Sequence, residues 1–385
     1  MDALWYYAIA FVVIWATALL FRNKLVDYGV TVEFPTIMWK TKRLRGFIDK
    51  IANLSPKFWK WFMIVGIFVS FGAMAVMTYL LFNSLSTVID APAVSLVIPG
   101  VSIPGSPIFV PFVYGIIGLA TVVVVHEFSH GILARVEKIN IKSIGLLLFA
   151  VLPGAFVEPD GDDMEIAKRS SRMRVYAAGS IANMSLFVIA FLITLTISSF
   201  VIPGNFQQTG VEIDRVIADS PSANVLKPGM IIEAINGVNV TDSNTYMDAV
   251  STLKPGKPVY VTTNQGNYNF TAGTNPNNNS AGYMGIQAIN NYEIKENTAN
   301  IYGNQLPWVW FSLLEMFNWI AFLNLAVGLF NILPMKPLDG GHLLEELLSY
   351  KLKESIVKPI INFSSGVIII VIAISLFFGL AHGFF

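Results

Sequence analysis

Residues 112–134 read FVYGIIGLATVVVVHEFSHGILA, and this one stretch decides how the chain must be built. It is longer than the roughly 20 apolar residues that a helix needs to cross a hydrocarbon core. Its second half nevertheless carries His126, Glu127 and His130. A charged carboxylate there costs on the order of 2.5 kcal/mol or more unless something compensates it. Histidines four residues apart share one face of a helix, so both imidazoles can reach a single ion. Glu127, one residue after the first histidine, can lean over the same site as a general base. The stretch asks for a membrane helix that holds a metal.

Composition points the same way. Of 385 residues, 54% are hydrophobic and 13% charged, and the mean hydropathy is +0.60. Soluble domains run about 25% charged, which excludes an ordinary soluble enzyme and a disordered chain. Lys+Arg and Asp+Glu number 25 each, leaving no basic excess for nucleic acid. Cysteine is absent, so disulfide scaffolds, thiol nucleophiles and thiolate metal sites are excluded.

Working outward, residues 4–21, 62–82, 175–202, 308–333 and 367–380 (with a flank from 356) are further apolar stretches, giving six expected transmembrane helices. Residues 139–159 are apolar but broken at Pro153-Gly154, and neither arm can span. They predict a re-entrant hairpin, sheltered from lipid by protein, with a mobile Glu158. Residues 38–60, basic and aromatic, predict an amphipathic helix on the inner leaflet. The segment 22–60 carries nine Lys/Arg and the segment 83–111 none. By the positive-inside rule this places both termini and residues 203–305 outside and the His/Glu/His end toward the cytoplasm.

Residues 203–305 abandon the apolar runs. Asn236-Gly237 signals a hairpin turn, and Asp242 or Ser243 caps a helix over 242–253. The order Gly210-Val211, Ser220-Pro221-Ser222, Leu226-Lys227-Pro228-Gly229 and Ile235-Asn236-Gly237 resembles a PDZ domain. The resemblance implies an inserted extracytoplasmic α+β domain with a peptide or protein ligand. Its expected role is to filter substrates rather than take part in catalysis.

A catalytic zinc takes three protein ligands and keeps one place open. With no cysteine, the third must be Asp339, His342, Glu158 or Asp160. Asp339 is the best placed, because Pro334 and Pro337 end a span just before it and Gly340-Gly341 permit close backbone approach.

These residues together resemble the site-2 protease family of intramembrane zinc metalloproteases. The resemblance rests on His126-Glu127-Phe128-Ser129-His130, Leu338-Asp339-Gly340 and the intervening Gly179-Ser180-Ile181-Ala182-Asn183. It implies one zinc ion per chain on His126, His130 and Asp339, with Glu127 as base. It further implies substrate or oxyanion support from Asn183 and Asn331. The expected partners are membrane proteins with a transmembrane segment and the lipid bilayer, not nucleic acid. The expected location is a prokaryotic plasma membrane. The expected organisation is N-terminal helices and an amphipathic loop in 1–111, a catalytic core in 112–202 and 306–350, the PDZ-like insert in 203–305 and a final helix in 351–385. The competing reading is a catalytically idle scaffold that binds partners through the insert.

Overall fold

The apolar runs become helices, which satisfy every backbone N–H and C=O within one segment where no water is available. The computed structural model describes residues 3–41, 44–88, 94–104, 106, 108–276 and 278–384. The chain begins with α1 (Ala3–Leu20), α2 (Arg22–Asp27), β1 (Val30–Glu33), β2 (Thr36–Thr41), α3 (Arg45–Leu54) and α4 (Pro56–Asn83). It continues with α5 (Phe112–Val136), β3 (Ile141–Phe149), β4 (Leu152–Pro159), α6 (Gly161–Ile166), α7 (Arg169–Thr196) and α8 (Ile202–Asn205).

A run of strands follows: β5 (Phe206–Val216), β6 (Ile231–Ile235) and β7 (Val238–Asn239), then α9 (Ser243–Ser251). After it come β8 (Pro258–Thr263), β9 (Gly266–Thr271), β10 (Gly273–Asn275), β11 (Asn278–Tyr283) and β12 (Ile286–Ile294). The chain closes with α10 (Glu296–Tyr302), α11 (Val309–Asn331), α12 (Asp339–Leu348) and α13 (Glu354–Phe384).

Among the described residues, five helical stretches are long and apolar enough to cross a membrane. They are Pro56–Ser86, Phe112–Val136, Arg169–Asn205, Leu306–Asn331 and Glu354–Ala381. The first apolar stretch is helical too, but over 5–20 it is shorter than these. The six expected spans therefore stand as five with a shorter sixth helix. The chain divides into two compact units, Leu195–Leu313 and the remainder.

In the larger unit, four antiparallel strands form one sheet in the order β1-β2-β3-β4. The expected hairpin is present as β3–β4, but its turn is not at Pro153-Gly154. Those residues lie inside β4, opposite Leu148 and Leu147, and the chain reverses at Ala150, which takes φ +54°. Proline is tolerated there because β4 is the sheet's edge, where a missing N–H breaks no ladder. The indole of Trp15 donates to the Ala150 carbonyl at 2.9 Å, tying α1 to the hairpin tip.

A second correction concerns residues 38–60. Residues 36–41, Thr-Ile-Met-Trp-Lys-Thr, pair with β3 along their whole length, as β-branched and aromatic residues favour. The amphipathic helix contracts to α3, which buries Ile48 and Ala52.

Just past α5, Glu137 is only 3% exposed and accepts a two-pronged bond from Arg174 at 2.8 and 3.0 Å. Burial alone would raise its carboxyl pKa, but Arg174, Ser171 and Lys60 hold it below its ordinary value of 4.5. Its contribution to stability is therefore complete above that value and lost as pH falls through the lower folded one. Glu137→Gln should cost about 3 kcal/mol, since it strands a largely buried guanidinium. Thermal unfolding in detergent should show this loss near neutral pH, shrinking toward acid.

The smaller unit is built on a sheet ordered β12-β5-β6-β8-β9, with β7 paired to β6, and a separate β10–β11 pair. Asn236 and Gly237 take φ +49° and +80° in the β6–β7 turn, as the Asn-Gly pair foretold. Asp242 caps α9 through a reciprocal pair of bonds with Thr245. Ile213, Ile232, Ile235, Val259 and Val261 are buried at its core.

Candidate metal centre

Two imidazoles and one carboxylate converge where α5, α7 and the start of α12 meet. His126 Nε2 and His130 Nε2 are 3.2 Å apart. Asp339 Oδ2 lies 3.3 Å from the first and 3.4 Å from the second. His130 Nδ1 is 2.7 Å from the Val175 carbonyl oxygen. A carbonyl only accepts, so Nδ1 carries the hydrogen and Nε2 turns its lone pair toward the cluster. The amide of Asn183, itself fully buried, lies 3.3 Å from His126 Nδ1.

This triangle fits a metal. Two ligand atoms about 2.0–2.1 Å from a tetrahedral zinc stand about 3.3 Å from each other, which is the spacing found along all three edges. Among the described residues, these three form the group of His, Asp and Glu side chains able to hold an ion together.

Local sequence explains how each member is placed. A methyl on Gly179 would come within 2.5 Å of His126 Cε1 and 2.5 Å of His130 Nε2, so only glycine lets α7 pass the two rings. Ser180, next along the same helix, donates its hydroxyl to Asp339 Oδ2 at 3.3 Å. Asp339 opens α12, where a carboxylate meets the positive end of the helix dipole. A Cβ on Gly340 would sit 2.0 Å from the Ile332 carbonyl, so the turn after Pro334 closes only around glycine. From α13, Ser364 donates to the Pro334 carbonyl and Ser365 accepts from the Lys336 N–H, at 2.7 and 2.9 Å.

Glu127 stays out of the triangle. Its Oε2 accepts from the Val157 N–H of β4 at 3.1 Å. A cavity of about 660 Å³ opens onto the cluster, lined by His130, Asp339, Val157, Arg172, Tyr176 and His342 among others.

The sequence model of Peptidase family M50 matches residues 114–373, about two thirds of the chain and all of this site. The chain belongs to peptidase family M50. Relatives of this M50 chain include an uncharacterized protein of Methanocaldococcus jannaschii, 32% identical over 234 residues, or 60% of this chain and 56% of that one. A membrane-bound transcription factor site-2 protease homolog of Arabidopsis thaliana is 28% identical over 144 residues, 36% of this chain and 27% of that protein. The chain thus spans about half the length of the first relative and about a quarter of the second. Five apolar helices within an M50 chain make this an integral membrane protein.

Of the residues singled out from the M50 sequence, the structure brings His126, His130, Asp339 and Asn183 together. Asn331 is the last residue of α11 and is not among those lining the cavity. Two of the other ligand candidates are engaged elsewhere. Asp160 caps α6 by accepting from Asp162 N and Asp163 N. Glu158, in β4, accepts from Ser143 Oγ at 2.6 Å and pairs with Lys142 at 3.2 Å. Sequence reasoning missed Ser180, Val157 and Val175. Ser180 lies inside the quoted Gly-x-x-x-Asn segment and could have been found by helical phase, whereas the other two act through backbone atoms that leave no side-chain signal.

Gly179→Ala should weaken metal binding by about 10–100-fold, the loss typical when the groups that orient metal ligands are disturbed. Gly72→Ala in α4, where a Cβ would meet nothing within 4 Å, should leave it unchanged. Chelator competition on the purified protein checks both.

Proposed function

We propose that this chain is a zinc endopeptidase that hydrolyses peptide bonds within or near transmembrane segments of other membrane proteins. The observation that carries the reading is the donor triangle with 3.2–3.4 Å edges, set beside Glu127 in the apolar helix that bears both histidines. One zinc ion would be held by His126, His130 and Asp339, all through atoms already aimed at a common point. When bound, it supplies Lewis acidity, making water a nucleophile near neutral pH and polarising the scissile carbonyl. Glu127 takes the proton of the attacking water and passes it to the departing amine. Asn183 steadies the His126 ring, and Asn331 is assigned to substrate backbone from the family pattern.

A helical peptide bond is sterically closed, so the substrate segment must unwind before it is cut. The outer edge of β4 supports this step, since among the described residues no strand pairs with it beyond β3. Val157 and Pro159 of β4 line the cavity, so an extended segment added to that edge enters beside the centre. The Lys/Arg distribution supports a centre facing the cytoplasm, with the termini and the insert outside, and the absence of cysteine from the outside region favours a prokaryotic plasma membrane.

The insert, residues 203–305, would act as a PDZ-like filter on what enters. It joins α7, which bears Asn183, to α11, which leads to Asp339. Deleting it should speed cleavage of substrates with bulky outer domains and leave short ones unaffected. Loss of short-substrate cleavage in a well-folded deletion would count against the filter.

The test of the main reading is the metal content of purified protein alongside cleavage of a single-span substrate, before and after chelation. One zinc per chain, with cleavage that is lost on chelation and restored by zinc, is expected. Cleavage that survives complete metal removal would overturn it.

A further inference from the structure

Two hydrogen-bond donors in the cavity serve no structural bond. Tyr176 and His342 both line it beside His130 and Asp339. Their rings stack with centroids 4.9 Å apart and planes 17° from parallel. Among the described residues neither side chain makes a hydrogen bond, and His342 Nδ1 comes no nearer than 4.0 Å to Glu345 Oε2. The other polar pair of the cavity is already spent. Arg172 grips Glu346 at 2.6 and 2.8 Å and caps the Glu165 and Ala167 carbonyls at 2.9 and 3.2 Å.

Placement gives the free pair a direction. On α7, Tyr176 stands three residues before Gly179, where any Cβ would meet both imidazoles, and four before Ser180, which bonds Asp339. On α12, His342 stands three residues after Asp339. Each is one helical turn, about 5 Å of rise, from the cluster and on the same face of its helix. Stacking fixes both rings without using a polar atom, so the donors are set before any substrate arrives.

We propose that Tyr176 and His342 are catalytic residues that donate to the carbonyl oxygen of the substrate bond as it becomes an oxyanion. This role rests on the hydrolytic reading above. Water oxygen bonds to the carbonyl carbon while the C=O π pair moves onto the carbonyl oxygen, and Glu127 takes one water proton. The Tyr176 O–H and the His342 ring N–H meet the new negative charge. The pair then returns, the C–N bond breaks, and Glu127 gives its proton to the leaving nitrogen. Donors pre-set toward developing charge are each worth about 100-fold or more in kcat.

The test uses Tyr176→Phe and His342→Phe, which keep the stacked rings and remove the donors, with His342→Gln restoring one. Each Phe variant should keep one metal per chain and a KM within about twofold of wild type while kcat falls about 100-fold, and His342→Gln should recover part of it. Affinity for a phosphinic peptide, a tetrahedral mimic of the oxyanion, should fall by a similar factor. Wild-type kcat in both Phe variants, or a rise in KM alone, would overturn the donor role while leaving the hydrolytic reading intact. A metal-loaded wild type that neither cleaves nor binds the phosphinic peptide would overturn both.

Discussion

Asp339→Ala will lose its metal and all cleavage, while His342→Ala and Glu158→Ala will each keep one metal per chain. Asp339 supplies the sole carboxylate oxygen of the donor triangle, within 3.4 Å of both Nε2 atoms. A metal held by two neutral imidazoles keeps its full double charge, and one buried carboxylate halves it in surroundings that screen poorly. The carboxylate in turn would be costly to bury without a cation. Removing it should cost more than the 10–100-fold typical of residues that only orient ligands. His342 is turned against Tyr176 rather than into the triangle, and Glu158 is bonded within the sheet. Metal stoichiometry in the three folded variants decides the assignment, and full occupancy in Asp339→Ala would refute it.

Glu127→Gln should separate chemistry from metal binding. Glu127 lies outside the triangle, so the variant should bind zinc as wild type does. The glutamine carbonyl can still accept from the Val157 N–H, so the helix and β4 should stay in register. What disappears is the proton acceptor, and kcat should fall by about two to four orders of magnitude. Near-normal cleavage with one zinc per chain would remove Glu127 from the role of base.

The helical part of the fold was legible because lipid and buried interior impose the same demand, long apolar runs with internally paired backbones. The donor set was legible because spacing on one helix fixes a shared face, and because proline and glycine announced the turn that presents Asp339. The sheet was harder. Pro153-Gly154 looks like a turn by composition, but pairing with β3 and the grip of Trp15 on Ala150 decide where the chain reverses, and neither contact is local. Residues 38–41 likewise read as part of a basic amphipathic stretch until β3 is beside them. Val157 and Val175 serve the site through main-chain atoms, which any residue but proline could offer at Val157 and any residue at all at Val175. Tyr176 carries no local mark that sets it apart within the apolar stretch 175–202; only its stacking on His342 does so.

The centre is also divided in time. His126, Glu127 and His130 are made early, while Asp339 follows some two hundred residues later, beyond the whole of the smaller unit. At ordinary rates of synthesis that interval lasts on the order of ten to forty seconds. Throughout it the nascent chain carries Glu127 and two imidazoles but lacks the carboxylate that completes the donor set. A chain that stops before residue 339 therefore holds only two of the three donor atoms, so the donor set is complete only after the smaller unit has been made.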